Sequence, residues 1–133
     1  MRRQSRELAL KLLFQSEFSA PLKMEDLLKT QDPNTEFSAD VQLYAKELVR
    51  GVQSHQSDID KVIQQFSSNG KIDRMATIDR NLLRVAIYEL KFSPTPLSPS
   101  IAINEAIEIA KIYGGTDSSS FINGILDQVA RSL

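Results

Sequence analysis

The chain has 133 residues, of which 41% are hydrophobic and 25% charged, with a net charge of −1; this is the profile of one ordinary globular domain, long enough to bury a core without disulfides or metals. No apolar run approaches the roughly 20 residues of a membrane span, and the N-terminus lacks the unbroken apolar stretch and small-residue cleavage site of a secretion signal. The absence of cysteine removes disulfides, thiol nucleophiles and thiolate metal sites, and together these features place the chain in the cytoplasm.

Apolar spacing is helical along nearly the whole sequence, with no alternating strand pattern and no internal repeat. The spacing predicts a first helix from about Arg3 to Ser19, ending before Pro21. Leu8, Ala9, Leu12, Leu13 and Ser16 make its buried face, and Leu10 and Phe14 extend the apolar surface towards Arg3 and Arg6. A short helix over Met24–Thr30 and a loop at Gln31-Asp32-Pro33-Asn34 follow. Ser38 reads as the N-cap of the next helix, whose face is Val41, Tyr44, Ala45, Leu48, Val49 and Val52. Gly51 and the Ser54–Asp58 stretch predict a break, after which Ile59, Val62, Ile63 and Phe66 continue the stripe to Ser67-Ser68-Asn69-Gly70.

A further helix from Thr77 or Ile78 to Phe92 is apolar around much of its girth, as a central helix must be. Arg80, Arg84, Tyr88 and Lys91 form its polar stripe, which reads as a solvated face or an interaction surface. Pro94, Pro96 and Pro99 mark a loop, and Ser98 before Pro99 matches an N-cap followed by an N1 proline. The next helix buries Ile103, Ala106, Ile107 and Ala110 and stops at Gly114-Gly115. Thr116 or Asp117 caps the last one, with Phe121, Ile122, Ile125, Leu126 and Val129 facing inward. The result is an all-α fold: a compact bundle of about seven helices, in a single domain over residues 1–133.

Catalytic chemistry has no visible constellation, so the chain reads as a non-enzyme without cofactor or metal. His55, the one histidine, sits at helical spacing from Val52 and Ile59 and reads as a packing residue. There is no phosphate-binding glycine loop and no nucleophile elbow. Glu105 and Glu108 are a carboxylate pair on one helix, but Glu108 with Lys111 reads as ordinary i,i+3 pairing.

Three features need a cause. Residues 1–11 carry a local excess of three positive charges from Arg2, Arg3, Arg6 and Lys11 against Glu7. Cations at a helix N-terminus oppose the helix dipole, so these are not stabilising choices. Arg2, Arg3 and Arg6 share a sector of about 100°, on the side of Leu10 and Phe14. That is either a solvated terminus or a platform where arginines meet phosphate and a ring stacks on a base. Gly114-Gly115 is either a helix end joined to a cap or a source of free N–H groups for an anion. Gly124, inside a helix, costs roughly 1 kcal/mol relative to alanine, which suggests close approach of another helix or of a partner.

Several segments together resemble the NusB family of bacterial antitermination factors. Arg2-Arg3-Gln4-Ser5-Arg6-Glu7-Leu8-Ala9 is similar to the family's opening. Ile78-Asp79-Arg80-Asn81-Leu82-Leu83-Arg84-Val85-Ala86-Ile87-Tyr88-Glu89-Leu90 is similar to its central helix. The segments from Ile101 to Lys111 and from Gly114 to Asp127 resemble its closing helices, the last being the most specific. The resemblance implies an all-helical fold of two packed helical subdomains. It implies a transcription antitermination factor that binds boxA-type single-stranded RNA as a heterodimer with NusE, a small-subunit ribosomal protein. The pair would join the RNA polymerase antitermination complex on ribosomal RNA genes. By position it puts Arg2, Arg3 and Arg6 in the RNA-binding segment, and Asp117 and Phe121 on the RNA-facing turn and helix start. Phe14 falls where the family often has tyrosine, keeping the ring without the hydroxyl, and Asp79 falls on the NusE-binding side. Family members are monomeric or dimeric, so the free chain is expected as a monomer or homodimer.

Two other readings compete. One is a helical protein–protein interaction module whose arginines touch no RNA. The other is a detached N-terminal domain of a ribosomal RNA cytosine methyltransferase, an enzyme that needs a cofactor domain and a catalytic cysteine that this sequence lacks.

Overall fold

The computed structural model describes residues 2–18, 38–67 and 72–133. Five α-helices are present among them: α1 (Arg2–Phe18), α2 (Ala39–Phe66), α3 (Thr77–Ile87), α4 (Pro99–Tyr113) and α5 (Ser118–Arg131), with a 3₁₀ turn at Ile72–Arg74 and a π-helical turn at Tyr88–Phe92. This is fewer than the about seven expected of a bundle of this size. The helix expected over Met24–Thr30 and its loop lie outside the described residues. The other difference is that the break expected near Gly51 does not occur.

Instead α2 runs unbroken for 28 residues. Ser38 caps it, its hydroxyl accepting from the Val41 N–H at 3.3 Å. Val52 and Ile59 are both fully buried and stand two helical turns apart, so the buried stripe stays in phase across the polar stretch. The polar residues between them lie on the solvent side, while His55 packs its ring against Phe92 at 5.2 Å between centroids, as a packing residue should. Gly51 has a different purpose from ending a helix. A Cβ there would run into the Tyr88 ring, so glycine lets α2 close against the end of α3.

The central position of α3 is as its girth predicts: every residue from Asn81 to Leu90 is buried. It touches α1, α2, α4 and α5, while α1 lies most extensively on α2 and α4 on α5. One contiguous apolar core runs through all five helices. The polar stripe on α3 is not a solvated face, however. Only Lys91 of its four members is exposed. Arg84 is buried and donates to Asp60 from Nε at 2.9 Å and Nη2 at 3.1 Å, and Arg80 pairs with Glu17 near the end of α1. Asn81 bridges to the same Glu17 carboxylate, so α1 is tied to α3 through side chains. The helix then widens by one residue, with the Ser93 N–H donating to the Tyr88 carbonyl at 2.9 Å. That turn carries Glu89 into the interior, which matters for the site.

Ser98 and Pro99 open α4 as expected, with Pro99 in its first turn. Gly114 ends it, its N–H donating to the Ala110 carbonyl at 2.8 Å. The packing reason expected for Gly124 is absent: it is exposed, and a Cβ there would meet nothing within 4 Å. The two glycines therefore give opposite predictions. Gly51→Ala should destabilise the fold by about 1–3 kcal/mol through overpacking, whereas Gly124→Ala should stabilise it by about 0.5–1 kcal/mol through helix propensity. Urea denaturation of both variants beside the parent chain checks the two signs.

Candidate nucleic-acid interface

The three N-terminal arginines come to different ends. Arg6 sits one turn into α1 with only 5% of its side chain exposed. Its Nε donates to Glu89 Oε1 at 2.8 Å, its Nη2 to Glu89 Oε2 at 2.9 Å, and its Nη1 to Glu105 Oε1 at 2.8 Å. The Tyr44 hydroxyl donates to Glu89 Oε2 at 2.5 Å, bringing α2 into the same cluster. Arg3 lies at the rim, its side chain 41% exposed, and forks onto Glu105. Arg2 is exposed and lays its guanidinium over the Tyr44 ring at 3.6 Å from the centroid. The expected cationic sector is thus graded, from buried Arg6 through half-buried Arg3 to exposed Arg2.

The electrostatics follow from that geometry. Burial opposes the charge on Arg6, but the Glu89 carboxylate outweighs it and holds the guanidinium above its ordinary pKa. Hydrogen bonding to Arg3 keeps Glu105 below the usual carboxylate range, against the opposing effect of burial. Burial and the Glu89 carboxylate together push the Tyr44 phenol well up, so it stays a donor. Leu10, expected to extend the exposed apolar side, is fully buried beneath this cluster's helix.

The other sequence-selected residues gather at the far end of α1, about 16 Å along the helix axis from Arg3 to Phe14. There the first turn of α3 meets the turn between α4 and α5. Asp79, Asp117 and Phe121 share one cavity of about 480 Å³ with Arg74, Met75 and Gly115. Asp79 is buried, and its Oδ1, shut off from solvent, has no hydrogen-bond partner among the described residues. Asp117 stands at the N-cap of α5 and is exposed; its side chain makes no capping bond. The N–H groups of Gly114 and Gly115 are both used, the second donating to Ser118 Oγ at 2.9 Å. Neither glycine N–H is free for an anion, and the helix end at Gly114 leads into α5 without the side-chain cap expected of Thr116 or Asp117.

Phe14 is half-buried, packed against Phe18 at 4.9 Å between centroids. It lines a neighbouring pocket of about 270 Å³ with Leu10, Lys11, Ile78 and Tyr113. Lys11 places its ammonium 5.6 Å from the Tyr113 ring. Arg3 meets Glu105 and Lys11 meets Tyr113, eight residues on in both helices, so α1 and α4 run side by side in the same direction. Sequence reasoning left out Tyr44, Glu89, Glu105 and Tyr113. The available signal was Glu89 itself, a carboxylate set between Ile87, Tyr88 and Leu90 at the end of the central helix, where a charge is expected to be paired.

Among the described residues no cluster of histidine and carboxylate groups could hold a metal ion, and no helix is long and apolar enough to cross a membrane. Removing Arg6 would strand the buried Glu89 carboxylate, so Arg6→Ala should cost about 3–5 kcal/mol, whereas Arg2→Ala should cost no more than about 1 kcal/mol; thermal melts distinguish them. Glu105 titrates below its ordinary value of 4.5, so its contribution is present above that value and lost as the pH falls through the depressed one. Arg3→Ala should accordingly flatten the acid limb of the stability–pH curve below pH 4.5, read by urea denaturation across pH.

The NusB family model matches residues 3–131. The transcription antitermination protein NusB of Bdellovibrio bacteriovorus is 49% identical over 131 residues, covering 98% of this chain and 96% of that protein. Among solved structures, T. maritima NusB superposes with a TM-score of 0.85 at 36% identity, covering 98% of this chain and 91% of its own. A structure of antitermination factors NusB and NusE in complex with double-stranded RNA matches with a TM-score of 0.83 at 25% identity, covering 99% of this chain and 97% of that one. With the family model and these relatives matching end to end, the chain belongs to the NusB family.

Proposed function

We propose that this protein is a transcription antitermination factor that binds boxA-type single-stranded RNA as a heterodimer with NusE and supports ribosomal RNA transcription within the RNA polymerase antitermination complex. The observation that carries the reading is end-to-end membership of a family whose relatives are antitermination proteins, one of them solved together with NusE and RNA. It acts in the cytoplasm as one domain of two helical halves, α1–α2 and α4–α5, clasping α3, and it catalyses nothing.

The positions of the side chains support a set of residue roles. Arg2 and Arg3 are the phosphate contacts, and Arg6 is the anchor that fixes the helix carrying them. Phe14 offers a ring to a base, and Asp117 and Phe121 line the RNA side of the larger cavity. Asp79, beside Arg74 and Met75 in that cavity, lies on the side offered to NusE. An acidic body with a basic end suits a protein that shares RNA binding with a basic partner, because phosphate contacts and their counterion release are then split between the two.

Electrophoretic shift with a boxA-like single strand, a scrambled strand and a duplex, each with and without NusE, tests this. The expected result is a sequence-selective shift that NusE strengthens and added salt weakens. Arg2→Ala combined with Arg3→Ala should weaken that shift while leaving capture of NusE intact. No selective shift under any condition, with both proteins folded, would return the chain to a helical interaction module.

A further inference from the structure

Arg3 is not a free cation waiting for phosphate. Its guanidinium already forks onto Glu105, which is only 16% exposed. Glu105 cannot easily swing away, because Arg6 holds its Oε1 from inside at 2.8 Å. Arg6 in turn is held by both oxygens of Glu89. The carboxylate at the rim is therefore pinned by a buried pair and aimed outward at the one arginine that half reaches solvent. A carboxylate and a phosphate oxygen present the same fork-shaped acceptor to a guanidinium. Any RNA phosphate at Arg3 must displace this internal one.

We propose that Glu105 is a built-in competitor for phosphate, which occupies Arg3 in the free protein and keeps its sequence-independent RNA affinity low. The inference rests on the RNA-binding reading above and names a residue that regulates that same site. Its thermodynamic signature is distinctive. A free arginine that binds a single-stranded phosphate steepens the salt dependence by about 0.7 in log–log slope. Exchange from a carboxylate keeps that slope but costs the Arg3–Glu105 pair, so it lowers affinity without changing the number of phosphates neutralised.

The test uses the full chain, with the boxA-like and scrambled single strands as probes. Glu105→Gln keeps the shape and an acceptor for Arg6 but drops the charge. It should tighten binding to both strands by a similar factor of about two to five, the range of a surface ion pair, and leave the salt slope unchanged. In an Arg3→Ala background the same substitution should gain nothing, which separates release of Arg3 from a general loss of negative charge. Glu108→Gln removes an equal charge from the same helix, where Glu108 pairs with Lys111 at 2.9 Å, and should fall short of the Glu105→Gln gain. Should Glu105→Gln not fold, Arg3→Ala alone still decides: with an arginine already engaged by a carboxylate, it should weaken RNA binding by a smaller factor than Arg2→Ala does. A loss in Arg3→Ala as large as that in Arg2→Ala, an unchanged affinity in folded Glu105→Gln, or an equal gain in the Arg3→Ala background would each overturn the inference. No RNA shift by the unaltered chain with NusE would instead remove the function reading, and this inference with it.

Discussion

The arrangement of the first helix depends on one buried charge. Arg6 reaches Glu89 at the end of α3 and Glu105 on α4, and Tyr44 of α2 closes the same carboxylate. Four helices thus converge on a single guanidinium. Such a cluster adds little net stability, since desolvating the charges offsets most of their attraction. Its effect is on register. Turning α1 by one residue rotates its side chains by about 100°, which would leave the buried Glu89 carboxylate without a cation. The cost of that error is what holds α1 in place.

A second polar cluster fixes the other end of the helix. Glu17 meets Arg80 and Asn81 of α3, while Arg84 beside them is paired with Asp60 of α2. With both ends tied by charge and the middle by Leu8, Leu12 and Leu13, α1 is a rigid rail. The proposed RNA surface follows that rail. At its start lie the rim arginines. Towards its end lie Phe14 and, through Ile78 and Tyr113, the turn that carries Asp117 and Phe121. Function and stability therefore draw on the same residues in graded fashion: Arg6 is structural, Arg2 is exposed, and Arg3 stands between.

The parts of this that could be read from sequence are the local ones. The Ser38 cap, the buried girth of α3, the proline at the start of α4 and the stop at Gly114 each depend on residues within a turn or two of each other. The parts that could not be read depend on distant partners. Arg6 and Glu105 are 99 residues apart in sequence, and nothing in the first turn announces that its third arginine is buried. Gly51 looks like a helix break until the Tyr88 ring is placed against it. Arg84 looks like part of a solvated stripe until Asp60 is brought beneath it. Gly124 errs the other way: its cost suggests packing, yet it faces open space. Asp79, Asp117 and Phe121 were selected by resemblance alone, and their meeting in one cavity is a fact of the fold.

The central claim is the division of labour among the arginines, with Arg6 as the buried anchor and Arg2 and Arg3 as the face offered to RNA. Side-chain Nε–Hε resonances of the arginines, followed by NMR as RNA and NusE are added to the protein, report it directly. The account predicts that the Arg2 and Arg3 signals move while that of Arg6 keeps its shift and its slow exchange with water. An Arg6 signal that leaves its carboxylate-bound position on RNA binding, with those of Arg2 and Arg3 unmoved, would contradict it.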